Sequence, residues 1–174
     1  LPDTHVAVVS GRSLRDLAVL SRLPEEVHLI GSHGSEFEPD SVGKLTADQV
    51  ALLHRLSGEM AVIADAAPGC SIEIKPSGVA FHYRRAADPV AGEAAAKAIL
   101  SSLGAYKGVH VREGKCVVEL SVVDTDKGGA LDRLRAMVSA DTVVFIGDDV
   151  TDEDGFARLR GPDLGVKVGD GATA

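Results

Sequence analysis

Apolar runs near the start of the chain alternate with a helical pattern. The run His5–Val9 is rich in β-branched residues and predicts a buried strand, and Val27–Ile30 predicts a second one. Between them, Ser13 can cap a helix, with Asp16 at the capping-box position. A strand, a helix and a strand in this order are typical of a parallel sheet.

The same order of patterns returns near the end of the chain. An amphipathic pattern beginning at Lys127 predicts a helix, and Val143–Ile146 predicts a buried strand. A helix through Phe156 and Leu159 follows, and Gly165–Val168 predicts another strand. Two stretches that are far apart in sequence therefore carry the pattern of a parallel sheet.

The middle of the chain has a different pattern, in which apolar and polar residues alternate. Such alternation is typical of antiparallel strands with one exposed face. Two hairpins are predicted, turning at Pro76–Gly78 and at Glu113–Gly114. The predicted elements are helices over about 46–64 and 90–103 and strands at Ser71–Lys75, Val79–Arg84, Val109–Arg112 and Cys116–Leu120.

These patterns predict an α/β protein with a Rossmann-like parallel-sheet core that an inserted α+β cap domain interrupts. Residues 1–38 and 123–174 form the two parts of the core, and residues 39–122 form the cap. The chain changes from one pattern to the other near Pro39 and near Val123, so hinges are expected there.

Composition narrows the classes of function. The 174 residues carry a net charge of −8, which argues against a nucleic-acid surface. Aromatic residues make up 3% of the chain, so an aliphatic core is expected. No apolar run approaches the roughly 20 residues that span a membrane, and no secretory signal is visible. The spacing of Cys70 and Cys116 suggests reduced, buried thiols in a cytoplasmic protein, although a disulfide remains open.

An acidic loop follows the strand Val143–Ile146 and is the first candidate for chemistry. Asp148 and Asp149 stand at the strand's exit, where ligands bind in open α/β sheets. Clustered carboxylates suit a hard cation such as Mg²⁺. Alternatively, Thr151 caps a helix, and the acids that follow it merely favour the positive end of the helix dipole.

Two further features bear on anion binding. Ser10, Gly11 and Arg12 follow a strand and offer a hydroxyl and backbone N–H groups at a helix start, a place that suits phosphate oxygens. Lys127 begins a helix, where the dipole disfavours a cation, so an anion or a carboxylate partner is expected nearby. An exposed Lys and a capping Ser are the simpler alternatives. The segment from Cys70 to Cys116 has seven Lys or Arg against four Asp or Glu, which also suits an anionic ligand.

In chain order, the hydroxyl loop, the Lys and the Asp pair around an α+β insert resemble the haloacid-dehalogenase-like phosphohydrolases. Within that superfamily, Gly147–Glu153 resembles the Gly-Asp-Asp-x-Thr-Asp-Glu loop of the trehalose-6-phosphate phosphatase family, and Val9–Arg12 resembles its Ser-Gly-Arg loop. Ser32–Glu36 looks like the family's His-Gly-x-Glu segment. In the predicted cap, four places resemble the family's sugar-facing motifs: Lys75, His82–Arg84, Gly114–Lys115 and Glu119.

The resemblance implies Mg²⁺-dependent hydrolysis of trehalose 6-phosphate through an aspartyl-phosphate. The phosphoryl group would be held by Ser10, Gly11, Arg12 and Lys127, and Mg²⁺ would be bound or supported by Asp148, Asp149 and Asp152. The sugar would be bound by Glu36, Lys75, His82, Arg84, Lys115 and Glu119. For His82 and Arg84, the outer, solvated face of a hairpin is an equally good interpretation.

The superfamily's first motif, Asp-x-Asp-Gly-Thr, supplies the nucleophile and has no match in this sequence. Asp124-Thr125-Asp126 lacks the preceding strand and is predicted to be a loop and helix cap. The chain is therefore expected to be part of a longer protein, to lack a central strand and to be inactive alone.

Two other functions remain open, and a third is disfavoured. A capped phosphatase for sucrose phosphate or a mannosyl phosphate would share the core and differ in the polar residues of the cap. A non-catalytic module that binds a sugar phosphate would not need the nucleophile. A phospho-accepting receiver domain is disfavoured, because its Asp pair lies near the first strand and no cap interrupts its sheet.

Overall fold

The computed structural model describes residues 3–37 and 45–170. The chain divides into two compact units. Unit 1 comprises Leu1–Val42 and Thr125–Ala174, and unit 2 comprises Gly43–Asp124. The hinge expected near Pro39 lies outside the described residues, whereas Val123 lies just before the second boundary.

The first segment of unit 1 contains the predicted parallel strands. β1 (Val6–Val9) and β2 (Val27–Gly31) pair in parallel, as predicted, with Val6 opposite Val27 and Val9 opposite Ile30, and β1 begins one residue later than expected. Ser13 caps the intervening helix by accepting a hydrogen bond from the Asp16 amide. A short antiparallel strand, β3, follows and was not predicted. The elements are β1 (Val6–Val9), α1 (Leu14–Ser21), β2 (Val27–Gly31) and β3 (Glu36–Phe37), with a 3₁₀ turn at Ser32–Gly34.

Unit 2 is a four-stranded antiparallel sheet, ordered β4-β5-β7-β6, with two helices. Its long helix begins with a capping box, in which the side chains of Thr46 and Gln49 each accept from the other's backbone amide. The apolar sheet face and both helices share one core, which includes Leu56, Phe81 and Ile99. The elements are α2 (Ala47–Asp65), β4 (Ser71–Lys75), β5 (Gly78–His82), α3 (Pro89–Ser102), β6 (His110–Gly114) and β7 (Val117–Ser121).

Two details of unit 2 differ from the prediction. β5 ends at His82, so Arg84 lies in a turn beyond the strand and does not share the face of His82. The second hairpin turns at Lys115–Cys116 rather than at Glu113–Gly114, and Cys116 adopts a φ of 62° there. Both errors displaced a strand end by about two residues, which is the usual uncertainty of boundaries read from a pattern.

The second segment of unit 1 restores the parallel pairing. β8 and β9 pair in parallel, as predicted, with Val144 opposite Leu164. The helix expected to pass through Phe156 and Leu159 is shorter, because it ends at Phe156. The elements are α4 (Lys127–Val138), β8 (Val144–Gly147), α5 (Glu153–Phe156) and β9 (Leu164–Lys167), with a 3₁₀ turn at Val150–Asp152.

Helix α4 packs against both sheets of unit 1. Among the described residues the strands of unit 1 form two separate sheets, β1-β2-β3 and β8-β9. Ala130 of α4 packs with Ile30 and Phe37 of the first sheet. The next residue, Leu131, packs with Phe145 of the second. Adjacent helical positions point about 100° apart, so one helix can bury different side chains against two sheets.

Three predictions from composition can be compared with the structure. The core is mostly aliphatic, but all four phenylalanines of the chain are buried in it: Phe37, Phe81, Phe145 and Phe156. Both cysteines are free thiols, as predicted, and are half-buried rather than buried. Within the described part of the chain, no helix combines the length and the apolarity needed to cross a bilayer.

A buried ion pair fastens the second segment of unit 1. The guanidinium of Arg135 on α4 donates through both terminal nitrogens to the carboxylate of Asp163, just before β9. The same carboxylate accepts from the amides of Val143 at 2.8 Å and Arg160 at 2.8 Å. The Arg135 hydrogen bonds, opposed by burial and aided by the two amides, hold the pKa of Asp163 well below its usual range.

Replacement of Asp163 by Asn should therefore lower stability at neutral pH, by about 5 °C or more in melting temperature. A carboxyl group whose pKa is depressed by folding stabilises the protein above its unfolded pKa of about 4, and this contribution is lost on acidification below that value. The difference between wild type and Asp163→Asn should thus shrink between about pH 4 and pH 2. Thermal unfolding followed by circular dichroism at several pH values measures this difference in melting temperature.

The matched control is Asp141→Asn, which removes an exposed carboxylate from the same segment. Its melting temperature should follow that of the wild type at every pH. A constant difference for Asp163→Asn down to pH 2 would contradict the assigned role of the ion pair.

Candidate active site

The acidic loop at the end of β8 is built around one buried carboxylate. Asp148 and Asp149 follow Gly147 and are exposed, whereas Asp152 is 6% exposed. One oxygen of Asp152, Oδ2, accepts from the backbone amides of Asp148 at 3.0 Å and Asp149 at 2.9 Å. Asp152 therefore closes the loop on itself and leaves the side chains of Asp148 and Asp149 at the carboxyl end of the strand.

The cap of the short helical turn differs from the simpler alternative considered for this loop. Asp149, not Thr151, is the N-cap of the 3₁₀ turn Val150–Asp152, and its Oδ1 accepts from the Val150 amide at 2.7 Å. The capping interpretation thus applies to one member of the exposed Asp pair. Since one carboxylate oxygen can accept more than one hydrogen bond or metal bond, capping leaves Asp149 with further acceptor capacity.

Lys127, the first residue of α4, has the carboxylate partner that its position predicted. Its Nζ donates to Asp152 Oδ1 at 2.6 Å, and both side chains are about nine-tenths buried. Burial raises the pKa of Asp152, but the Lys127 ammonium and the two loop amides outweigh it and hold that pKa below its usual value. Asp126 caps α4 through a 2.6 Å bond from the Gly129 amide, which confirms the predicted loop and cap.

Gly147 makes this arrangement possible. A Cβ at position 147 would lie 2.4 Å from Cβ of Asp152 and 2.5 Å from its Cγ. Such distances do not occur between carbon atoms that are not bonded. The absence of a side chain at the end of β8 therefore provides the space in which the Asp152 carboxylate meets Lys127.

The Ser10-Gly11-Arg12 loop is held by the turn that follows the neighbouring strand. The amide of Ser10 donates to the Ile30 carbonyl at 2.9 Å, and the Ser10 carbonyl accepts from the His33 amide at 2.9 Å. The Ser10 hydroxyl accepts from the Arg12 amide at 3.2 Å. Gly11 lies against the His33 ring, since a Cβ there would be 2.4 Å from Nε2.

The structure brings the hydroxyl loop and the start of α4 to the same region of unit 1. The 3₁₀ turn that carries His33 continues to Gly34, whose φ is +104°. A Cβ at Gly34 would lie 2.9 Å from the carbonyl oxygen of Asp126. Ser10 thus contacts His33, the same turn touches Asp126, and Lys127 follows directly. The two parts predicted to hold an anion, the Ser10 loop and Lys127, are therefore neighbours.

Glu36 does not have the exposed position expected of a sugar-binding residue. It is 6% exposed, on β3. Its Oε2 accepts from the amide of Leu14, the first residue of α1, at 3.2 Å, and its Oε1 accepts from the hydroxyl of Ser32. Both contacts lie inside unit 1. They place the Glu36 carboxylate at the start of α1, where the sequence analysis predicted that phosphate oxygens could bind.

In unit 2, the polar face of the sheet carries several of the predicted sugar-binding residues. Cross-strand pairing places Glu73, Ala80, Glu119 and Arg112 in one row. Lys75 shares this face, two residues beyond Glu73, and its Nζ forms a buried ion pair with Glu119. The small side chain of Ala80 on β5 lies between the carboxylates of Glu73 on β4 and Glu119 on β7.

The remaining predicted residues of unit 2 lie toward one end of the sheet. His82 Nε2 lies 3.0 Å from Glu73 Oε2, so Glu73, which the sequence analysis missed, belongs to the same set. The alternation that places Glu73 and Lys75 on one face was the available signal. Beyond the strands, the Arg84 guanidinium donates to the Lys115 carbonyl at 3.0 Å, and both residues are exposed.

Comparison with known proteins identifies the family. The model of the family described as trehalose-phosphatase matches residues 1–169. The chain belongs to the trehalose-phosphatase family. The superfamily assignment inferred from the Ser10 loop, Lys127 and the acidic loop is thereby confirmed.

Named relatives support the assignment. The chain is 39% identical to a trehalose-phosphate phosphatase of Mycobacterium avium, over 97% of this chain and 47% of that protein. It is 35% identical to the trehalose-6-phosphate phosphatase of Escherichia coli, over 98% of this chain and 65% of that protein. The chain thus spans about half to two thirds of the length of these relatives.

The fold agrees with a solved structure. A crystal structure of a trehalose-6-phosphate phosphatase related protein matches with a TM-score of 0.71, at 23% identity, over 97% of this chain and 71% of that one. The likeness confirms the α/β fold class, with parallel strands in unit 1 and an antiparallel sheet in unit 2.

The donor atoms of the acidic loop suit one kind of metal site. Within the described residues, no group of three or more His, Cys, Asp or Glu side chains could hold a metal ion. Mg²⁺, however, commonly keeps several waters and binds through one or two carboxylates together with phosphate oxygens. Asp148 and Asp149 offer two exposed carboxylates. The oxygens of Asp152 are already engaged by Lys127 and two amides.

Proposed function

We propose that the protein containing this chain removes the phosphate from trehalose 6-phosphate. The observation that carries the proposal is the buried Lys127–Asp152 pair beside the Ser10 loop, in a chain of the trehalose-phosphatase family. An ammonium group has three donors, and Asp152 accepts one of them. The remaining donors and the charge of Lys127 are available to a phosphoryl oxygen.

The residues of unit 1 divide the work of phosphoryl transfer. The Ser10 hydroxyl accepts from the Arg12 amide and keeps its own proton to donate to a phosphoryl oxygen. Lys127 neutralises the negative charge of the phosphoryl group and of the attacking nucleophile. Asp148 and Asp149 would hold Mg²⁺, which when bound offsets the negative charge of the phosphate ester. The nucleophile comes from outside residues 1–174, because no Asp-x-Asp-Gly-Thr motif occurs in them.

We assign Asp152, predicted as a metal ligand or a support, to the supporting role. Its Oδ1 is bound by Lys127 and its Oδ2 by the two loop amides. Such a carboxylate fixes the ammonium and orients the backbone that carries Asp148 and Asp149. In this role it acts on the reaction through its neighbours.

The polar face of the unit 2 sheet binds the sugar hydroxyls in this proposal. A Lys–Glu ion pair and a His–Glu pair on one face present donors and acceptors side by side, which suits hydroxyl groups that both donate and accept. The residues concerned are Lys75, Glu119, His82 and Glu73, with Arg84 and Lys115 at the end of the sheet. A cytoplasmic location agrees with the free thiols.

Phosphate release by the full-length protein tests the proposal. Trehalose 6-phosphate, sucrose 6-phosphate and a mannosyl phosphate are compared with Mg²⁺ and with a chelator. We expect phosphate release from trehalose 6-phosphate and not from the other two substrates. The chelator should abolish this release. Release only from another sugar phosphate would overturn the substrate, and binding of trehalose 6-phosphate without release from any of them would indicate a non-catalytic module.

A further inference from the structure

The turn that carries the Ser10 loop has an unusual backbone. Ser32 and His33 are consecutive and both adopt left-handed φ values, 46° and 54°. Residues with a side chain rarely adopt this conformation, and two in succession persist only where their surroundings hold them. Neither of these positions is a glycine, so contacts with neighbouring residues must hold the backbone in this conformation.

The contacts that hold Ser32 converge from three directions. Its amide donates to the Arg12 carbonyl at 2.7 Å, which ties the turn to the Ser10-Gly11-Arg12 loop. Its carbonyl accepts from the Ser35 hydroxyl at 3.0 Å. Its own hydroxyl donates to Glu36, and that bond is buried. Ser32 is thus clamped between the loop on one side and a buried carboxylate on the other.

Glu36 holds the loop from its other end as well. Its second oxygen accepts from the amide of Leu14, where the loop enters α1. The Ser10-Gly11-Arg12 loop therefore lies between two anchor points, Ser32 and Leu14, that share one carboxylate. Every contact named here lies within unit 1.

We infer that Glu36 is a positioning residue for the Ser10 loop rather than a sugar ligand. The inference rests on the proposed phosphate-binding role of that loop. Removing the carboxylate would release Ser32 from its left-handed conformation and free the start of α1, so the Ser10 hydroxyl would lose its fixed direction. A displacement of about 1 Å at such a group can cost about 100-fold in rate.

The two roles of Glu36 differ in what they do to inorganic phosphate. A sugar ligand contributes to the binding of trehalose 6-phosphate and nothing to the binding of phosphate alone. A residue that positions the phosphate loop affects both. The dissociation constant of inorganic phosphate, measured by titration calorimetry of the full-length protein with Mg²⁺, therefore separates them without requiring turnover.

Four variants complete the test: Glu36→Ala, Glu36→Gln, Ser10→Ala and the Ser10→Ala/Glu36→Ala double variant. Glu36→Ala should weaken phosphate binding and lower kcat/KM for trehalose 6-phosphate by about 10- to 100-fold each. Glu36→Gln keeps an acceptor for the Leu14 amide and should recover much of the loss. In the Ser10→Ala background, Glu36→Ala should cost less than about threefold, because the two residues act through one hydroxyl.

Glu26→Gln is the matched control, since it removes an exposed carboxylate ten residues away, and it should leave both measurements unchanged. Circular dichroism establishes which variants fold. If Glu36→Ala does not fold, Ser32→Ala carries the test, because it removes the hydroxyl that donates to Glu36 and should also weaken phosphate binding. Loss of trehalose 6-phosphate affinity with unchanged phosphate binding would overturn the inference in favour of a sugar ligand. Unchanged phosphate binding in Ser10→Ala would instead overturn the proposed role of the loop.

Discussion

Replacement of Lys127 by alanine is expected to lower kcat/KM for trehalose 6-phosphate by about 10²- to 10³-fold, the usual cost of removing a donor that stabilises developing charge. The structure adds a second effect. Asp152 would keep its two loop amides but lose its buried cationic partner. A buried carboxylate without its ion-pair partner destabilises a protein by about 3 kcal/mol. Steady-state kinetics and thermal unfolding of the full-length protein measure the two effects separately.

Lys97→Met is the control for the Lys127 prediction. Lys97 also pairs with a carboxylate, that of Glu93, but both side chains are mostly exposed. Exposed pairs of this kind contribute little, so activity and melting temperature should stay at the wild-type values. A folded Lys127→Ala variant with activity within threefold of the wild type would remove Lys127 from the proposed site.

Replacement of Asp148 by Asn is expected to abolish the dependence of turnover on Mg²⁺. The change preserves the volume of the side chain and the amide that donates to Asp152, so the loop should keep its shape. Only the charge that would bind the cation is lost. Phosphate release at a series of Mg²⁺ concentrations should fall by about 10²-fold or more at saturation, because the charge neutralisation supplied by a bound cation contributes several kcal/mol.

Asp154→Asn removes the same charge from the same loop and separates metal binding from net charge. Asp154 is exposed and belongs to α5, downstream of the capped turn. Its replacement should leave the Mg²⁺ titration unchanged. A wild-type rate and a wild-type Mg²⁺ dependence in Asp148→Asn would exclude Asp148 as a ligand.

The sequence predicted best those features that depend on neighbouring residues. The Ser13 cap joins two residues three apart, Ser13 and Asp16, and it occurs as the pattern indicated. Lys127 is similar, because a cation at the start of a helix is unfavourable on its own. That local conflict predicted a carboxylate partner, although it could not say that the partner would be Asp152.

Features that join distant residues had no local signal. Arg135 and Asp163 are 28 residues apart and occupy ordinary polar positions in the sequence, yet they form a buried ion pair. Glu36 is 22 residues from the amide it caps. It also lies on a two-residue antiparallel strand, which is too short to show any alternation. Burial of a Glu therefore became visible only with the tertiary structure.

Short elements and boundaries were a second source of error. Thr151 and Asp149 are both acceptable N-cap residues, and the pattern could not choose between them. In the structure Asp149 is the N-cap, and the Asp152 carboxylate accepts a hydrogen bond from the Asp149 amide. Arg84 was placed on a strand because it continues the alternation of β5, but the chain turns directly after His82.

Unit 1 is made of two stretches that are separate in sequence, so it can complete its core only after the second stretch has been synthesised. Ile30 and Phe37 pack against Ala130 and Leu134 of α4, which follow Phe37 by more than 90 residues. Unit 2 is continuous and is complete once Asp124 has been made. At a synthesis rate of about 5–20 residues per second, the apolar side of the first stretch waits roughly 5 to 20 s for its cover. During translation, this first stretch therefore exposes apolar surface that is prone to aggregation until α4 has been made.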